Sequence, residues 1–202
     1  MQRLAPPRLA DFVRRLEGHI EAFAPFDAAA PPAEFLYRAG KDLAHLVAAD
    51  DWLPAADRAA GEDHYRQYLL YLDPEERFSV VSFVWGPGQK TPVHDHQVWG
   101  MVGVLQGAER CQSYHADAEG VRSMGGERRL TVGEVELLSP ERGDIHRVEN
   151  AFDDRDSISI HVYGADIGRV RRWVFPLDQA KKPFISGYGN GPGNPPFVLK
   201  AS

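Results

Sequence analysis

The chain has 202 residues, 43% of them apolar and 26% charged, with a formal net charge of −6; that length suits one folded domain and that mix is ordinary for a globular protein. The acidic balance speaks against a nucleic-acid partner, which needs a basic face, and Arg169, Arg171 and Arg172 are too few to make one. One cysteine, Cys111, excludes an internal disulfide, and neither a signal-peptide pattern nor a run of about 18 apolar residues is present, so the expectation is a cytoplasmic protein with no membrane span.

Residues 1–74 are expected to be helical. Leu9, Phe12, Val13, Leu16, Ile20 and Phe23 fall on one helical face. Pro25–Pro32 breaks the pattern, Leu36, Leu43, Leu46 and Val47 mark a second helix, and Tyr65, Tyr68, Leu69 and Leu72 a third that Asp73-Pro74 would close. From Phe78 the texture changes to short β-rich runs between turn residues: 78–85, 100–106, 109–114, 129–132, 135–138, 157–163 and 170–175. Such runs, unrelieved by helical stretches, predict an antiparallel sandwich or barrel over residues 78–176. The Gly- and Pro-rich tail, 177–202, is expected to wrap the surface or a barrel end, and the whole chain to form a single domain.

Of eight histidines, His19, His45, His64 and His115 stand alone and nothing promotes them. His94 and His96 are spaced i, i+2, which on a strand sends both imidazoles to one face and within reach of one metal ion. They sit in a block running Gly88, five residues, His94-Asp95-His96, then Gly107. A second block runs Gly133, six residues, Pro140, two, Gly143, two, His146, three, Asn150. Ser159, His161 and Tyr163 alternate with Ile158, Ile160 and Val162, so on a strand the polar three share a face. Either they point inward as a hydrogen-bonded chain, or they form a polar outer face over an apolar inner one.

The two blocks resemble the paired signature motifs of the cupin superfamily, with an extra residue on each side of Pro140. The glutamate ligand usual in such proteins would fall at Gly100 or Met101, and neither can replace it. Three neutral imidazoles would keep the full charge of a divalent ion and leave a face open for an anionic substrate. With residues 92–107 (PVHDHQVWGMVGVLQG), His146, the Ser159-His161-Tyr163 triplet and Phe184-Ile185-Ser186-Gly187-Tyr188, the chain is similar to the bacterial thiol dioxygenases, the group of cysteine dioxygenase and 3-mercaptopropionate dioxygenase. The resemblance covers most of the chain from about Tyr65.

That resemblance implies a mainly β fold, a jelly-roll-like cupin barrel with N-terminal helices packed on it. It implies one iron(II) per chain on His94, His96 and His146, and oxidation of a small thiol by O2 to a sulfinic acid. Tyr163 would address the reacting oxygen, oriented by His161 and Ser159. The cysteine that crosslinks this tyrosine in mammalian-type enzymes is Gly100 here, so Tyr163 is expected to be free, with Cys111 a buried structural or idle surface thiol. The substrate-clamping arginine of cysteine dioxygenases corresponds to Gln67, or to Arg66 if the register slips. The 3-mercaptopropionate enzymes instead clamp the carboxylate with an arginine after the triplet, which matches Arg172, while Arg169 and Arg171 would face solvent. 3-Mercaptopropionate is therefore the expected substrate and L-cysteine the alternative. A zinc or nickel cupin of other chemistry and a cupin sensor are the remaining rivals; Trp99 fits pocket and core equally, and oligomeric state is not legible.

Overall fold

The computed structural model describes residues 2–177 and 179–200; Met1 and, from the tail, Asp178, Ala201 and Ser202 lie outside the described residues. A short strand β1 (Arg3–Leu4) precedes helices α1 (Pro7–Phe23) and α2 (Ala33–Val47). Proline at the first turn of α1 suits a position whose N–H has no helical partner. Both helices bury the apolar stripe read from the sequence, Leu9, Phe12, Val13, Leu16 and Ile20 on the first and Leu36, Leu43, Leu46 and Val47 on the second. No described helix is long and apolar enough to cross a membrane.

The third expected helix is instead strand β2 (Arg66–Leu72). The spacing of Tyr65, Tyr68, Leu69 and Leu72 mimics a helical stripe. Residues 68–71 are all buried, because the strand lies between the barrel interior and the helix layer, so no alternation marks it. Its backbone pairs antiparallel with β3 (Ser79–Trp85). The remaining strands are β4 (Gly100–Gln106), β5 (Ala108–Asp117), β6 (Gly120–Thr131), β7 (Val135–Leu138), β8 (His146–Asn150), β9 (Ser157–Tyr163), β10 (Arg172–Val174), β11 (Lys182–Phe184) and β12 (Phe197–Val198). Thus β6 begins well before the expected residue 129, and β8 is a strand the sequence did not announce.

Two antiparallel sheets, ordered β2-β3-β9-β4-β7 and β6-β5-β8, enclose the interior as a cupin barrel. Gly107 turns the chain from one sheet to the other with φ of 76°, and a Cβ there would stand 2.3 Å from Ser157 Oγ, so glycine is required twice over. The helices cover the outside of the larger sheet. Leu43 and Val47 of α2 lie against Gly103 of β4, where a Cβ would already be 3.1–3.2 Å from them. Ile158, Ile160 and Val162 join this helix-side core, whereas Leu69, Val81, Phe83, Trp85, Cys111, Val148 and Tyr163 fill the barrel. Trp99 belongs to the first cluster, edge-on to Phe35 with ring centroids 5.1 Å apart, and so packs in the core rather than in a pocket.

The tail follows a defined path. β11 pairs with β10, the Gly189 amide donates to the Gln67 carbonyl at 2.7 Å, and Asn190 bonds the Leu69 backbone through both ends of its amide. β12 then pairs parallel with β1. The tail therefore crosses one end of the barrel and leaves Ser186 beside Arg172.

Candidate metal and substrate site

His94 and His96 do not lie on a regular strand, as their spacing suggested. His94 sits in isolated antiparallel bridges to His146 and Val174, and His96 follows in a turn where Gln97 has φ of 64°. Asp144 holds that turn, its Oδ2 accepting the amides of His96 at 2.8 Å and Gln97 at 3.1 Å. Asp95, between the two histidines, accepts the Trp173 amide at 2.8 Å and donates its own amide to the Trp173 carbonyl. One aspartate thus ties the histidine loop to the strand that starts at Arg172.

His94, His96 and His146 stand as a triangle with ring centroids 4.9–5.0 Å apart, and one ligand nitrogen from each lies within 4.8 Å of the others. His94 donates Nδ1–H to the Pro92 carbonyl at 3.0 Å, which leaves Nε2 for a metal. His146 Nδ1 is 3.4 Å from Cys111 Sγ and faces Glu136, again freeing Nε2. His96 is fully buried and neither ring nitrogen has a hydrogen-bond partner among the described residues. A buried imidazole with two orphaned nitrogens is costly unless a ligand completes it. Burial pushes all three far below the ordinary histidine pKa, His94 to about 4, so they are neutral at pH 7. Neutral nitrogen donors with no anionic member fit a divalent transition metal. Gly100 is paired with Tyr163 across β4–β9, and a Cβ there would lie 3.1 Å from the phenol ring, while Met101 points into the helix-side core. No carboxylate enters from either position.

The alternation on β9 resolves inward for the polar side chains. Trp85 Nε1 donates to Ser159 Oγ at 3.1 Å, Ser159 Oγ and His161 Nε2 share a bond of 2.8 Å, and His161 Nδ1 and the Tyr163 hydroxyl another of 2.8 Å. All are buried. Phe83 stacks on the His161 ring at 3.9 Å, and Tyr163 stacks on the His96 ring with centroids 5.2 Å apart, so the chain ends at the histidine triangle. Burial raises the Tyr163 pKa beyond its usual value even though Arg172 pulls it down; the phenol is neutral.

Beside His94, one corner of the triangle, opens a cavity of about 540 Å3 lined also by Gln67, Arg172, Tyr65, Phe184 and Ser186, among others. Arg172 is 3% exposed; Nη2 donates to Ser186 Oγ at 2.6 Å, the guanidinium lies 4.5 Å over the Phe184 ring, and Nε has no partner. Among the described residues no carboxylate pairs with it within 4.0 Å, so burial lowers its pKa. Gln67 points into the cavity and Arg66, its neighbour on β2, is exposed. Arg169 pairs with Glu76 at the surface and Arg171 lies over Trp173, both on the solvent side as expected. Sequence reasoning assigned Asp95 and Ser186 no role of their own although both lie in its motifs, and it did not single out Asp144. Asp95 carried a signal, as the residue enclosed by the two histidines.

The model of the family described as cysteine dioxygenase type I matches residues 55–174, more than half of the chain. The chain belongs to the cysteine dioxygenase type I family. The match spans β2 to β10 and hence the three histidines, the Ser-His-Tyr chain, Gln67 and Arg172. Solved structures that it is similar to include a cupin superfamily protein from Desulfitobacterium hafniense, 14% identical over 58% of this chain and 94% of that one, TM-score 0.43. A cupin 2 conserved barrel domain protein from Salinispora arenicola is 21% identical over 58% and 91%, TM-score 0.42. An uncharacterized protein with a double-stranded beta-helix domain from Klebsiella pneumoniae is 16% identical over 65% and 95%, TM-score 0.41. Membership in the cysteine dioxygenase type I family makes this a dioxygenase of thiols in a metalloenzyme family. Among the described residues two groups could hold a metal ion, the histidine triangle and a set of Cys111, Glu136 and His146 that shares its third member.

Proposed function

We propose that the protein oxidises 3-mercaptopropionate, a small thiol carboxylic acid, to its sulfinic acid with O2, using one iron(II) held by His94, His96 and His146. The observation that carries the substrate is Arg172, a buried guanidinium with no acidic partner within 4.0 Å among the described residues, lining the same cavity as His94. A buried charge without a counter-ion is expensive, and a substrate carboxylate would relieve it. Arginine's planar fork binds such a group through two parallel hydrogen bonds, and Gln67 on the facing wall offers an amide beside it. With the carboxylate there, a two-carbon spacer leads the thiol toward the triangle.

Iron(II), when bound, supplies the meeting point for thiolate and dioxygen and the electron exchange between them. The chain does the rest. Asp95 keeps the clamp and the histidine loop in one register, Phe83 and Trp85 wall the reacting end from water, and Tyr163 offers a neutral hydroxyl at the triangle. A neutral phenol can donate a hydrogen bond to developing negative charge on oxygen.

Oxygen uptake by the iron(II)-loaded protein, measured with 3-mercaptopropionate and with L-cysteine over a concentration series, tests this. Uptake matched one-to-one by sulfinate, with the larger kcat/KM for 3-mercaptopropionate, is expected. A larger value for L-cysteine would replace the substrate, and no uptake above an iron-free control would sink the reaction. Gln67→Arg is expected to move the preference toward L-cysteine.

A further inference from the structure

The side of His146 turned away from the triangle carries a second group of metal-ligating atoms. Strands β5, β7 and β8 bring Cys111, Glu136 and His146 together, two from the smaller sheet and one from the larger. Cys111 lies opposite Val148 in the β5–β8 register, and both side chains belong to the cluster that fills the barrel. On β7, Val135 packs against the helix-side core and Leu137 against Gly40 of α2, so Glu136 between them turns to the barrel interior.

Cys111 Sγ lies 3.4 Å from His146 Nδ1, Glu136 Oε2 lies 3.9 Å from the same nitrogen, and all three ligand atoms fall within 4.8 Å of one another. At 3.9 Å the carboxylate is too far for a hydrogen bond, and Glu136 Oε2 is buried with no partner among the described residues. Ligands held about 2.0–2.3 Å from a tetrahedral ion stand roughly 3.3–3.8 Å from each other. The Glu136 edge, too wide for a hydrogen bond, is thus close to the width that an ion needs.

Charge points the same way. The group paired with Glu136 is the His146 ring, which burial keeps neutral. Glu109, two residues before Cys111 and so on the same face of β5, is completely buried, and neither of its carboxylate oxygens has a partner among the described residues. The inner wall around Cys111 therefore collects carboxyl groups without a counter-ion, an arrangement that a cation relieves.

We propose that Cys111 Sγ, Glu136 Oε2 and His146 Nδ1 form a second metal site, for one thiophilic divalent cation of the zinc class, on the opposite ring nitrogen from the one His146 turns to the triangle. The donors set that class, since thiolate with imidazole suits zinc and cobalt whereas the triangle offers nitrogen alone. On binding, the S–H bond of Cys111 breaks and its proton leaves to water. Thiolate and carboxylate then cancel the two charges of the ion, and a neutral site can lie in the barrel interior where a bare divalent charge could not. Zinc sites with three protein ligands complete their shell with water. The second site stands independently of the thiol dioxygenase reading.

Metal-free protein, without thiol substrate or thiol reductant, is titrated with Co2+ and followed by absorption, each variant first shown to be folded by circular dichroism. A thiolate-to-cobalt charge-transfer band is expected in the near ultraviolet, and Zn2+ should displace it. Cys111 is the only cysteine in the chain, so no other residue can give that band. His94→Ala/His96→Ala, which dismantles the triangle, should keep the band, and Cys111→Ser should lose it. Glu136→Gln should weaken cobalt binding about tenfold or more, since even an outer-shell partner is worth that much. No band in the wild type, a band lost together with the triangle, or a cobalt affinity unchanged by Glu136→Gln overturns the site. Oxygen uptake plays no part in these readings, so their failure leaves the dioxygenase reading untouched.

Discussion

Strand β9 is buried on both faces, yet the two faces do different work. Ile158, Ile160 and Val162 press against the helix-side core with α1 and α2, and their stabilisation scales with apolar area removed from water. Ser159, His161 and Tyr163 are as deeply buried, and each has to find a hydrogen-bond partner for its burial to be tolerated. The first face is satisfied by any well-packed hydrocarbon. The second is satisfied only by particular atoms in particular places, and so it is the face on which chemistry can be built. Burial alone would not separate them; the partners do.

Substitutions on the two sides should break in different currencies. The largest effect is expected from His96→Ala, which deletes a third of the proposed metal site. Iron retained through gel filtration, measured by elemental analysis, should fall to background and oxygen uptake with it. The fold should remain, since neither ring nitrogen of His96 has a hydrogen-bond partner among the described residues. Iron retention equal to wild type would remove the triangle from the mechanism. Next, Ile160→Ala on the opposite face is expected to cost about 2–5 kcal/mol of stability by leaving a cavity under the helices, read by denaturant unfolding. Its kcat at a temperature where it is folded should match wild type. A loss of kcat in step with stability would show that the two faces are coupled rather than separate.

The same contrast explains what could be read in the sequence. Strands β3, β4, β7 and β9 were legible because turn residues bracket β-prone runs, and β9 declared its polar face by strict alternation. The three histidines were legible from the spacing of their blocks. β2 was not, because a strand buried on both sides carries no alternation and its tyrosines and leucines fell at helical intervals. Glu109 was hidden for another reason. A glutamate beside Arg110 reads as solvent-facing, and only the pairing of β5 with β8, which sets Glu109 opposite Asn150, turns it inward. Cys111 follows the same register and lands beside His146. Ser186 reaches Arg172 across 14 residues of chain along the tail, a path that no local pattern reveals.

The finest test of the comparison is Tyr163→Phe, which keeps the ring stacked over His96 and removes one oxygen. If the polar face serves chemistry, the lost hydroxyl removes a hydrogen bond to charge developing on the reacting oxygen. Such bonds are worth about 1.5–3 kcal/mol, so kcat should fall about 10- to 100-fold. KM for 3-mercaptopropionate should change little, because the proposed carboxylate clamp on Arg172 is untouched. His161 Nδ1 also loses its partner, which costs about 1–3 kcal/mol if nothing replaces it, and denaturant unfolding will show that loss separately. A variant that is destabilised but keeps its kcat would mean that the chain of Ser159, His161 and Tyr163 is there to satisfy buried groups, and that the inner face of β9 is structural after all.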